Sequence, residues 1–359
     1  MDEGHRPSAQ ENTDQFEQRK QEHIKLSLTS EMQTRDLLGL DQIQLIHEAL
    51  PEMNFEDVKV FDESCSLFSS ALFVASMTAG HSEGDKINRT IAEACSIMSW
   101  PFAVGSQRRE LYDKEDGKIW KELRNKYANL SLLGNIGLSQ LIQAKPADIQ
   151  SMIENMNPKA LMVHTNPLQE VIQKEGTPYF RGGIEALENV CKTVKVPVIL
   201  KETGCGFSKE TLAKLNQIGL HAVDLSGLGG THWGRIEGKR SDLLKSNVAT
   251  TFKDWGNSTL DSLLAAQTQK LNYQIWASGG IRSGLDVAKC IALGAKKVSL
   301  AKPIMERALV STEAVVEYLK QTEYELRVAM FCTGSEKIED LRNTKHIKNF
   351  QRFIEPKNV

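Results

Sequence analysis

The sequence predicts an α/β fold: a (β/α)8 TIM barrel with an N-terminal arm and a C-terminal helical extension. Three observations predict it. First, eight short apolar runs of strand length follow one another at 72–76, 100–105, 130–134, 160–164, 196–200, 221–225, 274–278 and 297–301. Second, the segments between them place apolar residues three and four apart, so strands alternate with helices and pair in parallel through right-handed crossovers. Third, each run breaks into small or polar residues, as expected where a barrel carries its chemistry, at the C-terminal ends of its strands. An open doubly wound sheet is the alternative that a count of eight leaves standing.

Along the chain, residues 1–18 are polar and acidic without an apolar face, and are expected to form a mobile tail. Residues 19–71 form an arm and preamble. Within them RKQEHIKLSL gathers Arg19, Lys20 and His23; composition alone reads it as a solvated charged segment, against a flexible anion-binding arm. Residues 31–70 read as irregular apart from a short helix near Asp41 to Leu50, stopped by Pro51. The barrel with its C-terminal helices occupies 72–359. Ser208 suits the N-cap of a helix whose buried face is Leu212, Leu215 and Ile218 before Gly219; Val287, Cys290 and Ile291 before Gly294 repeat the pattern. After Pro303, EAVVEYLKQTEYELRVAMF is the clearest of at least two helices expected on the outside of the barrel.

Composition excludes several classes. With 359 residues, 40% of them hydrophobic, the chain can build one large domain. A net charge of -2 gives no electrostatic reason to expect nucleic acid or an anionic membrane as partner. The six cysteines (Cys65, Cys95, Cys191, Cys205, Cys290, Cys332) lack CxxC or other ligand spacing, which suits reduced thiols rather than zinc or a disulfide framework. No apolar run approaches the roughly 20 residues of a membrane span, and the N-terminus lacks the apolar core of a signal peptide. A soluble cytoplasmic protein is the expectation.

The strand ends carry the functional signal. Gly279-Gly280 opens a helix with Arg282 beside it and Lys302 on the adjacent strand, the pattern of the phosphate site that barrels build after strands seven and eight. Elsewhere the ends read Ser76-Met77-Thr78, Gly105-Ser106-Gln107-Arg108, Gly134-Asn135, His164-Thr165-Asn166-Pro167-Leu168-Gln169-Glu170, Lys201-Glu202-Thr203-Gly204, and Ser226 through Thr231 to Trp233. Each residue alone has a structural explanation: Asn135 could cap a helix, Lys201 could pair with Glu202, and His164 could be a hydrogen-bonded structural histidine. Eight strand ends offering donors and small residues to one mouth point instead to a large anionic ligand.

With a lysine at the fifth strand end, these features resemble the FMN-dependent barrels. The set RKQEHI, SMTAG, GSQR, HTNPLQE, KETGCGFS, DLSGLGGTHWGRIEGKR, DWGNST and ASGGIRSGLDVAK resembles more closely type 2 isopentenyl-diphosphate isomerase, in collinear order from about residue 19 to residue 305. HTNPLQE and GGTHWGRIE are specific to that family. The resemblance implies an isomerase that interconverts isopentenyl and dimethylallyl diphosphate by protonation and deprotonation, with reduced FMN as acid and base, Mg2+ at the diphosphate, and NADPH priming the flavin. It puts FMN against Ser76, Met77, Thr78, Ser106, Asn135, Lys201, Ser226 and Thr231, and the flavin phosphate against Gly280, Arg282, Ala301 and Lys302. The substrate would meet Arg19, Lys20, His23, Ser106, Gln107, Arg108 and Gln169, with Glu170 holding the metal. His164, Asn166 and Gln169 are the catalytic candidates: Gln169 in positioning and proton relay, His164 through a charge-assisted hydrogen bond to diphosphate. The polar loop from His232 to Arg240, with Trp233 and Glu237, would order over the substrate as a lid. A homo-oligomer, tetramer or octamer, is implied, whose N-terminal arm could reach a neighbouring site.

The chain departs from the family pattern at Ala79, Cys205 and Ser299, all near the expected flavin rather than among its ligands. Two other readings remain at this stage. A 2-hydroxy-acid oxidase needs a proton-abstracting histidine just after the sixth strand, where this chain has SGLGG and His232 follows several residues later; an inosinate dehydrogenase-like enzyme needs an active-loop cysteine, and only Cys205 stands at a strand end. A flavin-binding barrel that has lost catalysis is the reading from another class.

Overall fold

A computed structural model describes residues 13–62, 67–113 and 116–348. Eight parallel strands close into a barrel in sequence order: β1 (Leu72–Val74), β2 (Phe102–Ala103), β3 (Leu132–Gly137), β4 (Ala160–Thr165), β5 (Val198–Glu202), β6 (Ala222–Asp224), β7 (Gln274–Ala277) and β8 (Lys297–Leu300). Each falls inside or across one of the eight expected runs. The pairing of Leu72 with Val298 and Val74 with Leu300 closes the ring, so the open sheet is excluded.

Side chains alternate across each strand, and the alternation decides what faces the axis. Phe73, Ala103, Leu133, Ala160, Met162, Ile199, Ala222 and Trp276 form one interior cluster with Leu67 and Phe68. Their neighbours Leu72, Val74, Phe102, Leu132, Leu161, Val163, Val198, Leu200, Val223 and Val298 join the larger core between strands and helices. On β5 this puts Ile199 on the axis below Lys201, while Leu200 and Glu202 turn the other way. The step from Ile199 to Lys201 is the step from packed floor to polar mouth.

The helices that bear on the site are α1 (Thr13–Ser27), α2 (Pro167–Ile172), α3 (Lys209–Lys214), α4 (Trp233–Arg240), α5 (Gly284–Ala292), α6 (Lys302–Ala308) and α7 (Thr312–Phe331). Ser208 caps α3 as expected, accepting from the Thr211 amide, and α7 covers the EAVVEYLKQTEYELRVAMF segment.

Three local expectations are corrected. No α-helix forms near Asp41 to Leu50; a single 3-10 turn, Leu40–Gln42, is followed by the two-residue strand Gln44–Leu45, which pairs antiparallel with Ile347–Lys348 and ties the preamble to the C-terminal end. The boundary at residue 18 cuts through α1, and RKQEHIKLSL is no solvated segment, because Arg19 and His23 are buried along with Phe16 and Ile24. Residues 1–12 of the expected tail lie outside the described residues. Finally, His232 to Arg240 is not a loop: Trp233–Arg240 is helical, with Gly234, Ile236, Glu237 and Gly238 buried. Cys95, Cys191, Cys205, Cys290 and Cys332 are free thiols, as expected; Cys65 falls outside the described residues.

Candidate active site

A cavity of about 1530 Å3, its open mouth included, sits at the C-terminal ends of the strands beneath α1 and α4. It is lined by Arg19, Lys20 and His23 from α1; Ser76, Met77 and Thr78 after β1; Ser106 and Arg108 after β2; Asn135 and His164; Gln169 and Glu170 from α2; Lys201; Ser226 and Thr231; and Gly280, Arg282, Ala301 and Lys302. Segments more than 280 residues apart thus meet in one space. Two expected site residues do not reach it. Gln107 is buried in the wall, its amide oxygen accepting from the Asn135 backbone and its amide nitrogen donating to Glu110 at 2.6 Å. Asn166 caps α2 instead, accepting from the Gln169 amide at 2.9 Å and donating to Thr203 Oγ1. Both act on residues that line the cavity rather than on its contents.

On the side of β7, β8 and β1, the cavity is built for close backbone approach to an anion. Gly279 and Gly280 both take positive φ, 90° and 79°, and a Cβ on either would strike the backbone of Gly227 or Gly229, so only glycine fits this turn. Arg282 donates to Gln33 through one terminal nitrogen while its Nε is buried without a partner. Ser106 Oγ and Ser299 Oγ are also buried and unpartnered, although both residues line the cavity. Unsatisfied donors converging on a glycine turn fit a phosphorylated cofactor such as FMN. Ser299 adds a hydroxyl to that set. Lower on the axis, Asp224 accepts from Ser278 at 2.6 Å, and burial raises its carboxyl above the ordinary range against the opposing charge of Lys201.

The opposite side is cationic. The guanidinium carbons of Arg19, Arg108 and Arg109 and the ammonium of Lys20 lie 5.0, 5.7, 5.7 and 5.5 Å from the centre of the Phe16 ring. One aromatic ring thus gathers the positive charge of α1 and of the β2 loop. Glu170 faces this group: burial raises its carboxyl pKa, while the Thr177 amide, donating at 2.6 Å, and Arg108 pull it down. Among the described residues no group of three His, Cys, Asp or Glu could hold a metal. A magnesium ion here would therefore rest on Glu170 and on oxygens of a ligand.

His164 is neutral in the empty cavity. Asn135 donates to Ser76 Oγ at 2.7 Å, which turns its amide oxygen toward His164 Nδ1, also at 2.7 Å. Burial, then the charges of Lys201, Lys20 and Arg108, lower the imidazole to about 3, so it is neutral with Nδ1 as donor and Nε2 as acceptor.

Sequence reasoning put Glu237 in a lid and missed what it does. Its fully buried carboxylate lies 2.9 Å from His23 Nε2 and 2.6 Å from Arg240, and accepts from the Gln169 amide nitrogen at 3.2 Å. Burial opposes its ionisation, but His23 and Arg240 outweigh it and hold the carboxyl at about 2. Arg240 also pairs with Glu22 at 2.9 Å and Glu175 at 3.3 Å. Glu237 thereby joins α1, α2 and α4 above the cavity. The alternation of small and charged residues in THWGRIEGKR was the available signal. His232, by contrast, is structural: it caps α4 and its Nε2 sits 3.2 Å from the Trp255 carbonyl oxygen, which leaves the oxidase reading without its base.

Barrel, glycine turn and strand-end lysine together define a flavin barrel, and residues 116–349 match the FMN-dependent dehydrogenase family. Solved structures agree on the fold: a mutant flavocytochrome b2 with benzoylformate superposes at a TM-score of 0.65 with 17% identity, covering 92% of this chain and 82% of that one. A mutant mandelate oxidase with benzaldehyde gives 0.60 and 17%, over 92% and 93%. Within that class, the chain belongs to the isopentenyl-diphosphate delta-isomerase family. A protein of that name from Bdellovibrio bacteriovorus is 48% identical over 94% of this chain and 99% of its own length, and one from Legionella pneumophila (strain Corby) 49% over 91% and 97%. Its counterpart from Archaeoglobus fulgidus is 37% identical over 91% and 94%.

Proposed function

We propose that this chain interconverts isopentenyl diphosphate and dimethylallyl diphosphate, with FMN, magnesium and a reductant such as NADPH as its requirements. One observation carries the reading: a single cavity holds both an anion-approachable glycine turn and, across from it, a separate cationic group beside Glu170. Two anion-binding sites suit two phosphorylated molecules, a cofactor and a substrate. Reduced FMN, when bound, supplies the acid and base chemistry that moves the alkene proton, with no net redox change.

The chain's own residues divide the remaining work. Ser76, Met77, Thr78, Ser106, Asn135, Lys201, Ser226 and Thr231 would hold the flavin, with Gly280, Arg282, Ala301 and Lys302 on its phosphate. Lys201, whose ammonium donates to the Glu202 carbonyl at 2.7 Å, presents a fixed positive charge to the mouth. Arg19, Lys20 and Arg108 would neutralise the substrate diphosphate, and Glu170 would share magnesium with it. Gln169, held from its amide nitrogen by Glu237 and Gln173, is fixed in rotamer and positions the hydrocarbon end. Neutral His164 offers Nε2 as an acceptor there. Packing of α1 and α4 over the opening excludes water from a poorly basic alkene.

Among the described residues no helix is long and apolar enough to cross a membrane, which is in keeping with a cytoplasmic enzyme. A homo-oligomer is part of the proposal, although α1 covers the cavity of its own chain. The test is direct: purified protein with FMN, dithionite or NADPH, magnesium and isopentenyl diphosphate should form dimethylallyl diphosphate. A flavin-loaded, reduced protein that forms none would sink the reading and leave a non-catalytic flavin barrel.

A further inference from the structure

The buried carboxylate the site leaves unexplained is Glu202. It follows Lys201 on β5, points away from the axis and is almost fully buried. One of its oxygens, Oε2, accepts from four consecutive backbone amides: Thr203 at 2.6 Å, Gly204 at 2.7 Å, Cys205, and Gly206 at 3.2 Å. A turn that curls four N–H groups round one point is a nest for an anion, and it needs glycine where φ is positive, here 135° at Gly204 and 67° at Gly206. The protein fills this nest with its own side chain.

The turn is wired to both halves of the cavity. Thr203 and Gly204 line it, and a Cβ on Gly204 would stand 2.7 Å from the Thr231 carbonyl oxygen, so the turn packs directly on the β6 loop. From Thr203, the hydroxyl accepts from Asn166 Nδ2 at 2.9 Å, and Asn166 Oδ1 in turn accepts from the Gln169 amide at 2.9 Å. Glu202 thus stands at the head of a continuous chain, Glu202 to Thr203 to Asn166 to Gln169, that ends on the first turn of α2. Burial pushes its carboxyl up to about 7 against the pull of the amides and Lys201, so a costly group is retained where an apolar side chain would leave four amides unpaired.

We propose that Glu202 is a positioning residue: an internal anion that folds the Thr203–Gly206 turn, shapes the flavin wall with it, and through Thr203 and Asn166 sets Gln169 against the substrate. The substrate half of this proposal rests on the isomerase reading above; the flavin half does not.

Two variants separate the links. Glu202→Gln keeps size but offers the four amides a neutral acceptor, and is expected to weaken FMN binding to apoprotein and to raise KM for isopentenyl diphosphate, each by about tenfold. Thr203→Val leaves the nest intact and cuts only the bond to Asn166; KM should rise about fivefold while the FMN Kd stays within about twofold. Circular dichroism and thermal midpoints identify any variant that fails to fold; if Glu202→Gln does, Glu202→Asp, which keeps the charge but shortens its reach to the four amides, replaces it with the same expected loss of FMN affinity. Combining the two should cost no more in KM than Glu202→Gln alone, because both sever one chain, whereas independent packing effects would multiply. Unchanged FMN affinity in Glu202→Gln overturns the turn's role, and unchanged KM in Thr203→Val overturns the relay. If the native enzyme shows no isomerase activity and Glu202→Gln still loses FMN, the turn's role stands and the isomerase reading falls.

Discussion

The floor and the mouth of this barrel share the same eight strands yet treat buried groups in opposite ways. At the floor, Trp276 meets Phe73 and Phe68 edge-on at 5.1 and 5.7 Å, and the buried Lys297 ammonium donates to the Phe68 and Ser70 carbonyls at 2.8 Å each while lying 4.9 Å from the Phe68 ring. The Trp276 indole N–H, which donates to Gln274, and the Lys297 ammonium both have their partners. Toward the C-terminal ends of the strands and in the turns that follow them, Ser106, Asp224, Arg282 and Ser299 carry buried atoms with none, and His164 is kept neutral beside Lys201. The floor is finished by folding, whereas the mouth is finished by what enters it. Stability and binding should therefore respond separately to substitution.

The sharpest way to break that separation is at Trp276. It is fully buried and forms the centre of the aromatic floor, so Trp276→Ala should cost about 3–5 kcal/mol of unfolding free energy through lost burial and a residual cavity. Urea denaturation measures this directly. If the floor is independent of the mouth, the folded variant keeps the FMN affinity of the native protein; a parallel collapse of both would erase the distinction.

Acid should test the mouth's own structural element, the Glu237 cluster. Glu237 is held at about 2, below the ordinary carboxylate value of 4.5, so the stability it contributes is complete above pH 4.5 and is lost as pH falls toward 2. His23, lowered by burial to about 4, works in the same direction: it is neutral in the fold, and acid must charge it beside Arg19 and Lys20. Glu22 and Glu175 also face Arg240. The unfolding free energy of native protein should drop between pH 5 and pH 3, and that of Glu237→Gln should drop less. Equal slopes would remove Glu237 from the account.

What the sequence made legible follows the same division. All eight strands were readable because their apolar runs are buried on both faces, and the glycine turn because its φ values admit nothing else. The arm was not. Phe16, Arg19, His23 and Ile24 fall at helical spacing, but two of the four buried positions are charged or polar, so a search for apolar periodicity passes over them. Helix α4 was hidden for a related reason: Gly234 and Gly238 depress helix propensity, yet Gly238 is required where a Cβ would strike the Cβ of Ala249. Gln107 and Asn166 show a different limit. Membership of a motif fixes neither residue's orientation, and both turn their side chains into the wall.

Two substitutions in the arm set the scale of the mouth's cationic half, and the smaller one is the more telling. Arg19→Ala removes a nearly buried guanidinium, and should raise the KM for isopentenyl diphosphate about 10- to 100-fold, the equivalent of one charged hydrogen bond, with FMN affinity unchanged. Loss of FMN with an unchanged KM would move Arg19 out of the substrate half. Phe16→Leu removes no charge at all. It preserves most of the apolar burial against Gly80 but deletes the quadrupole that draws Arg19, Lys20, Arg108 and Arg109 together against their mutual repulsion. With cation–π contacts worth about 0.5–2 kcal/mol each, and only some of them reaching the substrate, KM should rise about fivefold. The rise should steepen at low ionic strength, where repulsion among the four cations is less screened. A Phe16→Leu variant with native KM at low salt would mean that α1 alone holds the cations in register and the ring merely fills space.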